Sequence, residues 1–240
     1  MAYIRGIGWV TATGMGCGRD HRRFEMSRRR LDPIERKQVF GAPYKNFGRM
    51  DEYSRLGLAG IAFALRDADL EDWQEMRNIG IIASTDYGCL WTDIDYFDTV
   101  LPLAGTQASP NLFAYTLPNC FLGEAAIRYG LTGESFIVYQ PAGNGLISLE
   151  LALDSIDAGD SDRMLCGVCD LGRPPQFKDT VEVPAGALFM VLEESRTIDG
   201  IGYGTVHADR NGRIIYNHRK FDHLFELVNA CLTHRSKVSG

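Results

Sequence analysis

The amino-acid sequence predicts a layered α/β domain around a mixed, mainly parallel sheet. Apolar runs of strand length alternate with longer segments whose apolar residues recur at helical spacing. The run 79–84 is continuously apolar, which is typical of a strand buried on both faces. Strands that alternate with helices favour crossover connections and parallel strand pairs. The 240 residues fit one domain, so we predict a single domain over 1–240.

The predicted elements follow from apolar periodicity and from capping residues. In chain order they are strands 2–11, 79–84, 135–139, 163–168 and 186–192, and helices 51–68, 144–158 and 224–232. Asp51 can accept hydrogen bonds from the first free amides of its helix, and Gly159 can end the next one. The glycines in 14–18 predict a tight turn, and the prolines and glycines in 99–118 predict mostly loop.

Composition excludes several classes of function. Hydrophobic residues make up 45% of the chain, charged residues 23%, and the net charge is -6, which argues against a nucleic-acid partner. No apolar run reaches the roughly 18–20 residues that cross a membrane. The first ten residues lack the pattern of a signal peptide, so we expect a cytoplasmic protein. Its six scattered cysteines are then expected to be reduced thiols.

Short motifs give weak support for other chemistries. Gly14-x-Gly16-x-Gly18 lacks the spacing and the acidic residue of a dinucleotide site. Cys166-x-x-Cys169 has no second ligand pair for zinc and ends a strand, so small buried side chains are the better interpretation. None of the five histidines falls in a catalytic motif, and a Gly-x-Ser-x-Gly elbow is absent. We therefore predict no metal and no cofactor.

An arginine cluster gives the acidic chain a local positive charge. It comprises Arg22, Arg23, Arg28, Arg29 and Arg30. These side chains suit an acidic protein partner, and a solvated helix face is an equally good account of them.

The turn after strand 135–139 is the most informative segment. It reads Gln140-Pro141-Ala142-Gly143-Asn144 and leads into a predicted helix. Such a turn holds its tip against free helix amides and the positive end of the helix dipole, where a cysteine becomes a nucleophile. Here the tip offers only alanine, glycine and asparagine.

The chain resembles the β-ketoacyl-acyl-carrier-protein synthases, which have the thiolase-like fold. The resemblance rests on five motifs in shared order and covers about 1–205, while 206–240 is a divergent extension. The motifs begin Ile4-Arg-Gly-Ile-Gly, Arg49-Met-Asp-Glu-Tyr, Ile79-Gly-Ile-Ile-Ala, Asn119-Cys-Phe-Leu-Gly and Val183-Pro-Ala-Gly-Ala. The resemblance implies the N-terminal half of that fold.

The resemblance also implies where the site lies. Alignment on Gly145-Leu146 puts Ala142 where the family carries its nucleophilic cysteine, and a methyl group cannot form a thioester. We therefore predict no catalytic residue. The predicted substrate pocket is Gln140, Pro141, Ala142, Gly143 and Asn144, and the predicted dimer strand is Ser135, Phe136, Ile137, Val138 and Tyr139. Gln140 is similar to the glutamine of chain-length-factor and decarboxylase variants but lies two residues early. The family's two histidines belong to a second half not seen here.

Three functions follow from this resemblance. The first is a non-catalytic partner, similar to a chain length factor, of a full-length β-ketoacyl synthase, with an acyl carrier protein docking on the arginine cluster. The second is an enzyme with altered acyl-thioester chemistry, a decarboxylase or an acyltransferase. The third is a homodimeric module that binds an acyl ligand.

Overall fold

A nine-stranded mixed sheet lies at the centre of the described structure. The computed structural model describes residues 1–141, 143–194 and 202–238. The strands are β1 Ala2–Thr11, β2 Gly14–Cys17, β3 Ile79–Thr85, β4 Ser135–Tyr139, β5 Arg163–Asp170, β6 Gly186–Glu194, β7 Gly204–Ala208, β8 Ile214–Tyr216 and β9 Arg219–Phe221. The helices are α1 Arg36–Val39, α2 Glu52–Asp67, α3 Leu90–Val100, α4 Pro110–Phe113, α5 Cys120–Tyr129, α6 Ile147–Ala158 and α7 Leu224–Val238.

The sheet is mixed, as predicted, but it is not mainly parallel. Its order is β4-β3-β5-β6-β1-β7-β8-β9, with β2 paired to β1. Only β3 pairs in parallel, with β4 and β5, and the remaining described pairs are antiparallel. The alternation of strands and helices holds for β3, β4 and β5. No described helix lies between β5 and β6, so β6 returns antiparallel beside β5.

Alternate residues of the strands pack into two hydrophobic cores, one on each face of the sheet. In β6, Ala187, Phe189 and Val191 belong to the core beneath α2 and α5, whereas Leu188 and Met190 belong to the core beneath α6 and α7. Period-two alternation with apolar residues on both sides requires cover on both faces. The described chain supplies that cover and so has three layers.

The end of α2 is tied to the first strands through a buried carboxylate. Asp67 accepts hydrogen bonds from the amides of Ile7 at 2.8 Å and Arg19 at 2.7 Å, and from the hydroxyl of Tyr203 at 2.5 Å. Buried charges are tolerated when donors surround them. Asp67 thereby joins elements that lie far apart in the sequence.

The segment 202–238 completes cover of the second face. β7 pairs with β1, β8 and β9 continue the sheet, and the buried face of α7 carries Leu224, Leu227, Val228 and Cys231. The predicted helix 224–232 was too short, since α7 continues to Val238. The polar residues after Leu232 gave no apolar periodicity from which to extend it.

Most predicted elements are confirmed, and several bounds need correction. Ala2–Thr11 and Ser135–Tyr139 have the predicted bounds, and α2 lies between Asp51 as its N-cap and Ala68 as its C-cap. The predicted turn 14–18 is wrong, because Gly14–Cys17 pairs with β1 as a strand.

Four helices were not predicted from the sequence. α1, α3 and α5 had no predicted counterpart, and α4 interrupts the stretch 99–118 that was predicted as mostly loop. Among the described side chains of α3, only Thr92 is buried. Leu90, Ile94 and Phe97 recur at helical spacing, but none of them belongs to either core.

None of the helices in the described ranges has the length and apolar character needed to span a bilayer.

The close contact between α2 and β1 depends on glycine, which yields a stability prediction. A Cβ on Gly8 would lie 2.1 Å from the amide nitrogen of Ala64 and 2.4 Å from the carbonyl carbon of Phe63. Gly8→Ala should lower the free energy of unfolding by at least about 3 kcal/mol, since backbone atoms would have to move. Urea denaturation measures this loss.

Gly41→Ala is the matched control, because nothing lies within 4 Å of a Cβ built on Gly41. Its unfolding midpoint should stay close to that of the wild-type protein. Equal midpoints for the two variants would contradict the packing described for α2.

Candidate functional site

A cavity of about 210 Å³ lies at the carboxyl ends of the parallel strands β3, β4 and β5. Ligands of open α/β sheets bind outside these ends. Its lining is partly polar and partly apolar. The polar lining residues, here called the floor, are Ser84, Thr85, Asp86, Gln140, Asp170 and His223, and the apolar ones, here called the walls, are Met26, Val168, Val181, Val183, Pro184 and Phe225. Glu182 also lines the cavity.

Asp170 fixes the shape of the floor. Its carboxylate accepts hydrogen bonds from the hydroxyl of Thr85 at 2.9 Å and from the amides of Asp86 at 3.0 Å and Tyr87 at 2.9 Å. Thr85 in turn accepts from the amide of Gly88 at 2.7 Å. Burial raises the pKa of Asp170 to about 7, despite the three donors. The group therefore changes charge near neutral pH.

Gln140 packs flat against Gly143. A Cβ on Gly143 would lie 2.4 Å from the carboxamide carbon and oxygen of Gln140, so a side chain there would displace the end of Gln140. The amide of Gly143 donates to the carbonyl oxygen of Gln140 at 2.9 Å, which closes the turn. The side-chain oxygen of Gln140 is buried and has no hydrogen-bond partner within the protein. The turn before α6 thus holds a buried acceptor without a donor from the protein.

A histidine reaches the cavity from the segment before α7. The Nδ1 atom of His223 lies 3.4 Å from the amide nitrogen of Phe225, which donates to it, and the two rings are 4.8 Å apart. An Nδ1 that accepts leaves Nε2 as the ring nitrogen that can donate. The amide of Leu224 also donates to the carbonyl of Asn144 at 3.0 Å, so the C-terminal segment supports the site turn.

Sequence reasoning missed Asp170 and His223 as cavity residues. One feature of the sequence could have indicated Asp170. It is an acidic residue at the end of the buried strand β5, and the parallel neighbour β3 also ends in a polar residue, Thr85. His223 had none, because its approach depends on the packing of α7.

No cysteine lines the cavity, and each of the six thiols lies within the described residues. Cys89 precedes α3, and the Asp93 carboxylate lies 3.6 Å from its sulfur. Cys120 begins α5 and donates to the carbonyl of Ala114. Burial raises the pKa of both thiols, and that of Cys89 also rises beside Asp93. A raised pKa disfavours the nucleophilic thiolate.

The pair Cys166 and Cys169 lies within β5, and its two side chains belong to different cores on opposite faces of the sheet. Opposite faces cannot share one metal ion or one disulfide. Among the described residues, no group of three possible metal ligands comes together.

The structure brings two of the five predicted pocket residues to the cavity. Gln140 and Gly143 line it, whereas Pro141 and Asn144 do not. The Asn144 side-chain oxygen accepts from the amide of Leu146 at 3.0 Å. α6 begins at Ile147 instead of residue 144, since this bond holds 144–146 outside the helix. Ala142 lies outside the described residues.

The predicted dimer strand is an edge of the described sheet. β4 pairs only with β3 there, and Phe136 and Tyr139 are exposed. An edge strand with exposed apolar side chains is a template for pairing with another chain. The position allows the predicted role, which remains a prediction.

The predicted arginine cluster divides into two groups and does not form a helix face. Arg22 donates to the carbonyl of Met15, and Arg23 lies 3.8 Å from Glu25. The second group consists of Arg28, Arg29 and Arg30. These three residues line an open groove of about 560 Å³ beside the cavity, together with Arg173 and Lys178. Residues 22–35 are irregular, so the alternative of a solvated helix is wrong.

The mixed sheet, the two helical layers and the site turn ahead of α6 define a thiolase-like ketosynthase domain. The chain belongs to the β-ketoacyl synthase family, whose N-terminal domain matches residues 24–179. Among curated proteins, no sequence matches the chain significantly.

Solved structures show the same fold at low identity. A β-ketoacyl synthase from Burkholderia phymatum is 20% identical with a TM-score of 0.61, covering 81% of this chain and 59% of its own. The ishigamide ketosynthase/chain length factor is 19% identical with a TM-score of 0.62, covering 82% of this chain and 59% of its own. The chain therefore spans about three fifths of the length of these two proteins.

A third similar structure has nearly the same length. It is a chain from the ketosynthase ApeO in complex with its chain length factor ApeC, from Xenorhabdus doucetiae. The two chains are 17% identical with a TM-score of 0.62, and the match covers 96% of this chain and 91% of the other.

The buried position of Asp170 yields a titration prediction. Its pKa of about 7 lies above the unfolded value of about 3.9, so the folded protein binds an extra proton between these values. The contribution of Asp170 to stability should therefore fall as the pH rises from about 4 to 7, by about 4 kcal/mol at most. Asp170→Asn should remove that part of the pH dependence. Carboxyl NMR of the wild-type protein should show a midpoint near pH 7.

Asp209 is an internal control in the same spectra. Its exposed carboxylate is bonded to Arg213, which lowers its pKa to about 2. An Asp170 midpoint below about pH 5 would contradict the buried environment described above.

Proposed function

We propose that this chain is a non-catalytic, chain-length-factor-like partner of a full-length β-ketoacyl synthase. The observation that carries the proposal is that no thiol lines the described cavity. Position 142 is alanine, and none of the six thiols lines the described cavity. Without a thiolate, the cavity cannot form the cysteine thioester through which members of the family condense acyl groups. A subunit that only forms part of the acyl pocket of a partner synthase needs a surface of the right shape and no nucleophile of its own.

An exposed apolar segment supports an association of this kind. Seven large apolar side chains between α3 and β4 are exposed, namely Phe97, Leu101, Phe113, Leu117, Ile127, Phe136 and Tyr139. The Tyr139 hydroxyl lies close to Gly88 and Pro118, which connects the edge strand to this segment. So many exposed apolar side chains in one segment are typical of a protein–protein interface. We propose β4 with segment 97–139 as the surface that binds the synthase.

A similar solved structure supports the same partner. The Xenorhabdus doucetiae chain of nearly equal length occurs in a complex of a ketosynthase with its chain length factor. We propose that residues 1–240 act as one domain in such a complex, since α7 packs on the same sheet as the family-matched segment.

The basic groove is proposed as the docking site of an acyl carrier protein. Arg28, Arg29, Arg30, Arg173 and Lys178 line it. Glu182 and Val183 line both the groove and the cavity, so a carrier held there would stand beside the cavity mouth. Clustered arginines on an acidic protein attract an acidic partner and speed its association.

Altered acyl-thioester chemistry is a second candidate, favoured by His223 and Asp170. His223 supplies an imidazole at the cavity, and Asp170 supplies an acid with a pKa of about 7. Neither group was identified as a cavity residue from the sequence. Release of carbon dioxide from a malonyl thioester by the pure protein would support it. The homodimeric module would instead require self-association through the same apolar segment.

The apolar segment can be tested with charge substitutions. Phe113→Asp together with Ile127→Asp should weaken binding to a full-length β-ketoacyl synthase from the same organism at least tenfold. A tenfold loss corresponds to about 1.4 kcal/mol, the cost of burying a charge at a contact that excludes water. Co-purification followed by a dissociation constant measures the effect.

Met76→Asp is the matched control for this experiment. Met76 is 74% exposed and Ile127 75% exposed, but Met76 lies before β3, outside the segment. The control should bind like the wild-type protein. Equal binding by all three proteins, or no binding by the wild type, would overturn the proposed partnership.

A further inference from the structure

The connection between β5 and β6 is much longer than these two strands require. Residues 171–185 join them, although Asp170 and Gly186 are paired directly across the end of the ladder. Adjacent antiparallel strands need a loop of only about two to five residues. Long connections without helix or strand are uncommon and usually have a function. Residues 171–185 are here called the strap.

The strap forms one side of the cavity, where Val181, Glu182, Val183 and Pro184 belong to the lining. The cavity of about 210 Å³ is smaller than the roughly 300–1,000 Å³ that usually holds a small ligand. A larger ligand therefore fits only when a wall moves. Ladder hydrogen bonds fix β3 and β5, which carry much of the lining, but in the described chain the strap has no such bonds.

Few contacts attach the strap to the rest of the described chain. Its start is fixed, because Nε1 of Trp91 donates to the carbonyl of Gly172 at 2.9 Å. Beyond that point Arg173 donates to the carbonyl of Lys178 at 2.5 Å, which is a bond within the strap. Residues 175–182 are all exposed. An exposed segment that bonds mainly to itself can open as a unit at low cost in free energy.

Tyr87 holds the far end of the strap. Its hydroxyl donates to the carbonyl of Val181 and lies 2.8 Å from Oγ1 of Thr180. Tyr87 itself belongs to the fixed part of the site, since its amide donates to Asp170 at 2.9 Å. One side chain on a rigid base therefore bonds the part of the strap that lines the cavity.

An ion pair is the other side-chain contact at this end. Arg28 lies 3.9 Å from Glu182, and the two side chains are 72% and 51% exposed. Exposed ion pairs at such a distance contribute little to stability. The hydroxyl of Tyr87, which reaches two groups of the strap, is therefore the stronger attachment.

We propose that the strap is a lid over the cavity, hinged at the ends of β5 and β6, and that the hydroxyl of Tyr87 is the latch that keeps it closed. Opening enlarges the cavity for a ligand that the closed state is too small to hold. Tyr87 acts as a positioning residue, because it sets the place of the wall. The lid belongs to this chain alone, so the inference stands apart from the proposed partnership with a synthase.

Labelling of a thiol placed inside the cavity tests the lid. Val168→Cys puts a thiol on β5 within the lining, and a fluorescein maleimide is a bulky reagent that has to pass the strap to reach it. Fragmentation of the labelled peptide in a mass spectrometer distinguishes residue 168 from Cys166 and Cys169, which are fully buried. The labelling rate follows the open fraction of the lid when opening and closing are fast.

In the Val168→Cys background, Tyr87→Phe should raise the labelling rate at least twofold. Loss of one hydrogen bond shifts an equilibrium by about two- to tenfold. The midpoint of urea unfolding should stay close to that of the parent protein, because only the strap opens. Glu182→Gln should change the rate less than twofold, as expected for an exposed ion pair. An unchanged rate in Tyr87→Phe, or a rise only in step with a lower unfolding midpoint, would overturn the proposal.

Tyr44→Phe is the matched control. Tyr44 is half-buried like Tyr87, and its hydroxyl donates to Glu124 at 2.7 Å, but it does not line the described cavity. The control should be labelled at the rate of the parent protein, and equal acceleration by both tyrosine variants would contradict the latch. Ser84→Cys places a second thiol in the lining, with the same expected ratios, if Val168→Cys does not fold.

Discussion

The carboxylate of Asp170 is the contact on which the site and the proposed interface both depend. It holds the ends of β3 and β5 together by accepting from Thr85 and from the amides of Asp86 and Tyr87. The residues that it holds form the cavity floor and lead directly into α3, where the exposed apolar segment begins. Its desolvation is costly, and three donors offset that cost. A substitution of Asp170 would therefore alter both the cavity floor and the start of the proposed synthase-binding segment.

A second constraint is that both faces of one sheet must be covered. α2 and α5 cover one face, and α6 and α7 cover the other. α7 does more than bury apolar surface, because its first turn bonds the carbonyl of Asn144 and the residue before it, His223, enters the cavity. The segment with the weakest family signal thus shapes the site. Its histidine shows that an imidazole can reach this cavity from within the described chain.

Local signals decided which parts of the fold were predictable from the sequence. α2 was predicted within one residue because Asp51 caps it and its apolar residues recur regularly. The antiparallel return of β6 and the strand Gly14–Cys17 were not predictable, since both depend on pairing between distant or glycine-rich segments. At the site, Gln140 and Gly143 were predicted by their place in the turn. Asp170 and His223 reach the cavity only through tertiary packing.

The central claim is that this ketosynthase-family cavity holds no thiol able to carry an acyl group. Intact-protein mass spectrometry after incubation with an excess of an acyl-carrier thioester tests it most directly. The account predicts an unchanged mass, because burial raises the pKa of the thiols and none of them lines the described cavity. A stoichiometric acyl adduct on any cysteine would contradict it.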